Sequence, residues 1–401
     1  MPGADTAGRA AGPRYPVAAY AAINALGTTT RDVIAALHAG RSGLRPCTTF
    51  DLPFEVPAGA MADPLPPLPA RLSGHDSRTA RLAVAGLAEI LPAVTRAVAR
   101  HGSDRVALVL GTTTAGLGRT EAAYLTSRRE GALPGDYDLH RQHSFGGLLE
   151  AVRLTAAVGG PAYVVSTACS ASAKAIASAR RLIASGVADA VVVGGVDGLC
   201  QTTLRGFHSL EILSDEPCRP FSRLRKGINL GEGAAYLLLE RQSDGPVALL
   251  GTGESSDAFH MTAPHPEGKG ATAAMTGALA QAGLQPGDVD HINAHSPGTR
   301  HNDLSEGRAI TTLFGPSIPV ASTKGYTGHL LGAGGATEAI FAVVAIEQGW
   351  LPASLGAQPV DESLGLNVLT RRIDGRCRAV LSNSFAFGGN NVSVIFGRAA
   401  S

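Results

Sequence analysis

The chain has 401 residues, 44% of them hydrophobic and 17% charged, with a formal net charge of +1. At roughly 150 residues per domain this is two or three domains or one large two-lobed unit, ample for a buried core. The near-neutral balance argues against nucleic-acid or membrane-surface binding by bulk charge, and no apolar run approaches the roughly 20 residues needed to span a bilayer.

Residues 1–14 are rich in Gly, Ala and Pro and lack an apolar segment, so they read as a short disordered tail and not a secretory signal. Residues 17–26 read as a strand. Residues 30–40 read as a helix, with Asp32 near its start and Gly40 at its stop. Pro53, Pro57, Pro64, Pro66, Pro67 and Pro69 make 52–69 an irregular surface excursion. An amphipathic helix is expected over 78–100, with Pro92 as an interruption. RVALVLGTTTAG (105–116) looks like a strand buried on both faces. AYVVSTACSAS (162–172) is a strand breaking into a turn, and residues 170–186 form a helix ended by Gly186. Further strands are expected at 189–199 and 231–240.

The second half echoes the first. VDHINAHSPGT (289–299) resembles the strand and turn at Cys169, residues 379–389 echo the strand beginning at 189, and 388–397 echo 231–240. Strands alternating with helices predict an α/β fold with helices on both sheet faces. Two similar halves are expected, 15–245 and 246–401, with an insertion near 199–228 in the first.

The cysteines are Cys47, Cys169, Cys200, Cys218 and Cys377. Their odd number and lack of metal-ligand spacing suggest a reduced, cytoplasmic compartment. Cys169 stands apart. A β-branched strand runs into small residues and a helix start, where the helix dipole and free N–H groups favour a thiolate and could hold an oxyanion. The same segment also suits a buried cysteine at a tight turn. Of twelve histidines, His295 lies at a strand end and His329 at a loop-to-helix junction, positions where side chains face sites. No His-x-x-His or HExxH spacing points to a metal. Only four lysines are present, and one of them, Lys324, lies in a Gly-rich segment five residues before His329. Glu338 lies in an apolar helix, where a buried carboxylate needs a cation, and Lys324 is the natural partner.

Five segments resemble the β-ketoacyl-acyl-carrier-protein synthases, the elongating condensing enzymes of fatty acid and type II polyketide assembly. They are STACSASAKAIASA around Cys169, CRPFSRLRKGINLGEGAAYLLLE (218–240), NAHSPGTRHND around His295, STKGYTGHLLGAGGATEAI around Lys324 and His329, and LSNSFAFGGNNVSVIFG (381–397). The runs at 136–148 and 260–267 are similar to a polyene-forming, aryl-polyene-like branch. The resemblance implies a five-layered thiolase-like fold of two αβαβα halves related by a pseudo-twofold axis. It implies Cys169 as the acyl-accepting nucleophile, and His295 and His329 as the pair acting on a malonyl thioester. Lys324 supports that pair, with Glu338 as its acidic neighbour. Phe387 takes the gating position, with its N–H joining that of Cys169 in an oxyanion hole. Thr299, Pro297, Phe385 and Ala386 fall at substrate-binding positions, and Asn293, Glu338, Ser382 and Asn383 at positions that hold a monovalent cation in some relatives.

The resemblance also implies no cofactor, because substrates arrive on the phosphopantetheine arm of an acyl carrier protein. A homodimer is expected, or a heterodimer with a chain-length-factor-like homologue. Alternatives on the same fold are a non-catalytic partner subunit and a transacylase. Three departures stand out. Ser296-Pro297 replaces Gly-Thr after His295, which removes one hydroxyl. Ala386 replaces the middle glycine of the gate, which restricts positive φ. Asn390-Asn391 replaces Thr-Asn.

Overall fold

A computed structural model describes residues 12–62 and 64–399. The expected tail at 1–14 therefore lies almost wholly outside the described residues. The strands are β1 (Tyr15–Asn24), β2 (Arg45–Pro46), β3 (Pro57–Ala58), β4 (Val106–Gly111), β5 (Ala162–Val165), β6 (Ala190–Asp197), β7 (Gly233–Glu240), β8 (Val247–Ser256), β9 (His291–Asn293), β10 (Pro319–Ala321), β11 (Trp350–Leu351), β12 (Asn367–Val368), β13 (Ile373–Asp374), β14 (Ala379–Phe385) and β15 (Asn390–Arg398). The helices are α1 (Thr30–His38), α2 (Arg78–Ala88), α3 (Leu91–His101), α4 (Leu117–Glu130), α5 (Phe145–Ala156), α6 (Ala171–Ala184), α7 (Gln201–Ser209), α8 (Lys269–Ala282), α9 (Arg300–Phe314), α10 (Lys324–Thr327) and α11 (Gly334–Gln348).

Local chemistry sets several of these boundaries. The Thr29 hydroxyl accepts from the Asp32 N–H and caps α1. Ser77 caps α2 in the same way. The helix expected over 78–100 is two helices, because Pro92 opens α3 and the chain bends by 70° between them. Among the described residues no single helix is long and apolar enough to cross a membrane.

Eleven strands form one sheet in the order β12-β10-β9-β14-β15-β8-β1-β7-β6-β4-β5. Two sets join where β1 meets β8 through Tyr15↔Leu249 and Pro16↔Ala248. In the first set β1, β7 and β6 pair antiparallel, and β6, β4 and β5 parallel. In the second set β8, β15 and β14 pair antiparallel, and β14, β9 and β10 parallel. The topology thus repeats strand for strand. It also corrects one expected echo. The strand before His295 is the counterpart of β4, while the turn carrying Cys169 corresponds to the turn after β10, which carries Lys324 and His329.

Five layers follow, as in a thiolase-like fold. Along β4 side chains alternate faces: Leu108 and Leu110 pack outward with Leu82, Leu87 and Val94, while Ala107 and Val109 pack inward. The inner layer is α6 and α11, held between both strand sets through Ile176, Ile183, Ile340 and Val343. On the far face α8 and α9 cover Ile292, Leu381 and Ile395 with Met275, Leu279 and Ile310. Apart from Thr337 and Glu338, residues 334–346 of α11 are small or apolar, and all of them are buried. The Pro-rich stretch is irregular, as expected, but it does not stay on the surface. Val56 to Gly59 are buried, and the Met61 N–H donates to buried Glu232 at 2.9 Å. The apolar residues between the prolines draw the backbone inward, where Glu232 satisfies it.

Candidate active site

Cys169 lies between the end of β5 and the start of α6. Its predecessor Ala168 has φ +50°, an uncommon conformation for a residue with a Cβ, and this turns the sulfur into the pocket. The Cys169 side chain is buried. Burial pushes its thiol up to about 12, while the Lys324 charge and the N–H groups of Cys169 and Phe387 pull the other way. Burial thus opposes the thiolate that the Lys324 charge and these N–H groups favour. The two N–H groups that face the sulfur are those expected to cradle an oxyanion.

His295 follows β9, and His329 sits between α10 and α11. Their rings meet edge to face, with centroids 5.3 Å apart. Burial, with the Lys324 charge second, holds His329 down to about 3. His295 is held well below the usual imidazole range by burial, Lys324 and His329. Both rings are thus neutral at pH 7. Both ring nitrogens of His329 are buried without a hydrogen-bond partner. A neutral imidazole has one N–H to give, and a ligand in the pocket would receive it.

Lys324 opens α10 and is 2% exposed, with Nζ 2.6 Å from Glu338 Oε1. Burial raises the Glu338 carboxyl and the lysine opposes that rise. The expected pairing is present, and it lies behind the histidines. Cys169, His295 and His329 line one cavity with Pro297, Thr299, Phe385, Ala386 and Phe387. Phe387 stacks on Phe207, centroids 5.9 Å apart, and Phe385 lies 6.2 Å from the His295 ring. The gate turn is built on Gly388 and Gly389, at φ +78° and +77°. Ala386 has φ −124°, ordinary extended backbone, so its Cβ imposes no strain there. The left-handed geometry lies two residues further on.

The expected cation ligands are brought together only in part. Asn293 donates to Ser382 at 3.2 Å across paired strands, and its Oδ1 is buried without a partner. Asn383, however, donates to Glu306 and accepts from Ser393, and Glu338 is committed to Lys324. Among the described residues no group of three His, Cys, Asp or Glu side chains could hold a metal ion.

Sequence reasoning missed Glu306. This buried side chain in α9 accepts the N–H groups of His295 (2.8 Å) and Ser296 (2.7 Å) and the Asn383 amide (3.0 Å). Burial lifts its carboxyl to about 7. The signal was Asp303 and Glu306, three residues apart on one face of the helix after His295. In Glu306→Gln an NH₂ group must face one of two backbone N–H donors. The expected loss is about 1–3 kcal/mol of stability, read by urea unfolding, because a buried donor is left unpaired. A variant as stable as the parent would remove Glu306 from this role.

The family model for the beta-ketoacyl synthase N-terminal domain matches residues 76–245, and that for the C-terminal domain matches 247–358. The chain belongs to the beta-ketoacyl synthase family, on a thiolase-like fold. Among solved structures it is similar to a ketosynthase in complex with its chain length factor from Xenorhabdus doucetiae. That likeness has a TM-score of 0.91 and 40% identity, over 96% of this chain and 98% of the other. It is also 32% identical to the 3-oxoacyl-[acyl-carrier-protein] synthase 2 of Synechocystis, over 96% of this chain and 97% of that protein. The namesake in Mycobacterium bovis is 40% identical over 249 residues, and the match spans 60% of its length.

Proposed function

We propose that the protein is an acyltransferase that performs a decarboxylative condensation: an acyl thioester and a malonyl-carrier thioester give a 3-oxoacyl-carrier and CO₂. The observation that carries this is the pair of neutral, buried imidazoles facing the pocket of a buried cysteine whose sulfur meets two backbone N–H groups. The Cys169 sulfur attacks the acyl thioester, the carrier thiol leaves with the proton, and the two N–H groups hold the passing oxyanion. The malonyl-carrier then enters. Its carboxylate leaves as CO₂, and the enolate oxygen takes hydrogen bonds from His295 and His329. The enolate carbon attacks the acyl group on Cys169 and displaces the sulfur, which regains a proton. Each neutral imidazole keeps one N–H for this, and Lys324 helps to keep both rings neutral. Substrates come on the phosphopantetheine arm of an acyl carrier protein, with Pro297 and Thr299 at the pocket wall where the arm would lie.

A second subunit of the same fold, either a copy or a chain-length-factor-like homologue, is the expected partner. The Xenorhabdus likeness, solved with its chain length factor, supports that reading. The five free cysteines support a reduced, cytoplasmic setting.

His329→Ala is expected to impair CO₂ release from malonyl-carrier more than acyl loading of Cys169. The expected margin is about 100-fold or more, the range for loss of an oxyanion donor. Separate assays of the two half-reactions check this, and equal losses would contradict the role.

A further inference from the structure

Two residues with a Cβ adopt positive φ beside the reacting groups: Ala168 (φ +50°), directly before Cys169, and Leu331 (φ +49°), two residues after His329. Each such conformation costs about 1–3 kcal/mol and persists only where its surroundings hold it. One buried carboxylate reaches both turns. Asp197, at the end of β6, has no exposed surface. It accepts from the hydroxyls of Thr112 (2.9 Å) and Thr114 (2.7 Å) and from the N–H groups of Thr113 (3.0 Å) and Thr114 (2.8 Å). Its second oxygen accepts the Gly332 N–H at 2.7 Å, in the turn after His329. The Thr113 hydroxyl in turn donates to the Ala168 carbonyl at 3.3 Å. A Cβ at Gly332 would come within 2.7 Å of that carboxylate, so only glycine lets the turn approach so closely.

We propose that Asp197 is a positioning residue: its carboxylate locks the Cys169 turn, through Thr113, and the His329 turn, through Gly332, in one fixed relation. Asp197 is absent from the cavity lining, so it acts through these backbones and touches no substrate. Five donors and, among the described residues, no cationic partner make this a carboxyl solvated by backbone and hydroxyl groups, a rigid arrangement that water could not substitute. The pairing matters because the two half-reactions use different turns. Acyl loading needs Cys169 alone, decarboxylation needs the His329 turn, and condensation needs the two in register.

This inference rests on the condensing reading above, and its test separates the two. In Asp197→Asn an NH₂ replaces one acceptor. Both half-reactions are expected to fall in kcat by roughly 10–100-fold, with KM for either carrier substrate nearly unchanged. Thr113→Val removes only the link to Ala168. It is expected to slow acyl loading by about threefold to tenfold while CO₂ release from malonyl-carrier stays at the parent rate. A folded Asp197→Asn protein with both half-reactions intact overturns the proposal. So does a Thr113→Val protein that loses both steps equally, since that is general loosening. If the parent neither loads nor decarboxylates, the condensing reading falls, and the iodoacetamide alkylation rate of Cys169 still reports whether its turn is held in place. Asp197→Asn and Thr113→Val are each expected to change that rate by about threefold or more, because the Cys169 turn shifts, and an unchanged rate in both overturns the proposal.

Discussion

Cys169→Ala is expected to abolish acyl loading and to lower condensation by a factor on the order of 10⁴ or more, since the variant retains binding and the oxyanion donors but no nucleophile. The fold should survive. The residue sits at a helix entry whose hydrogen bonds are backbone to backbone, Ser170 to Thr167 and Ala171 to Ala168, and alanine keeps them. CO₂ release from malonyl-carrier should persist in the variant, because His295 and His329 are untouched. A variant that still elongates an acyl-carrier would refute the nucleophile assignment. One that loses decarboxylation as completely as loading would point to a collapsed pocket.

The second large effect is on stability. In Lys324→Met the Glu338 carboxylate stays 4% exposed without its cation. Removing one partner of a buried pair costs about 3–5 kcal/mol. Burial already raises Glu338, and without the lysine nothing opposes it. A carboxyl whose folded pKa lies above its unfolded value makes the folded state bind more protons, so stability falls as pH rises through that window. The deficit of Lys324→Met should therefore be larger at pH 8 than at pH 5. The double variant Lys324→Met with Glu338→Leu should regain most of the stability, because a buried ion pair replaced by apolar groups is often near neutral. It should not regain activity, because the charge that helps hold His295 and His329 neutral is gone. Recovery of both would reduce the pair to packing. Urea unfolding at the two pH values and the half-reaction assays separate these outcomes.

Several of these features were legible from residue order. Cys169 and His295 follow strand ends, which gather on one side of a sheet, and His329 lies at a junction into a helix. The Lys324–Glu338 pair is legible because a carboxylate inside an otherwise apolar helix has few ways to be satisfied, and the chain has few lysines. Asp197 and Glu306 were not legible in the same way. Asp197 takes the Gly332 N–H from 135 residues away, and Thr112 to Thr114 from the far side of β5 and α6. Nothing local to VGGVDG marks an aspartate whose partners are backbone amides. The burial of the Cys169 thiol is not legible either: a helix N-terminus is visible in sequence, whereas the depth of the sulfur depends on α6 and α11 closing against each other. Their contact is fixed by the Ala336 N–H donating to the Ser172 hydroxyl, 164 residues apart. Ala386 stands where the family usually has glycine, yet the backbone takes its left-handed turns at Gly388 and Gly389 instead.

The most direct measurement is mass spectrometry of the purified protein incubated first with an acyl-carrier and then with malonyl-carrier. The acyl mass should appear on the Cys169 peptide and no other, then disappear as the carrier gains a 3-oxo extension of two carbons. Acylation elsewhere on the chain, or an extended product with Cys169 never loaded, would contradict the account.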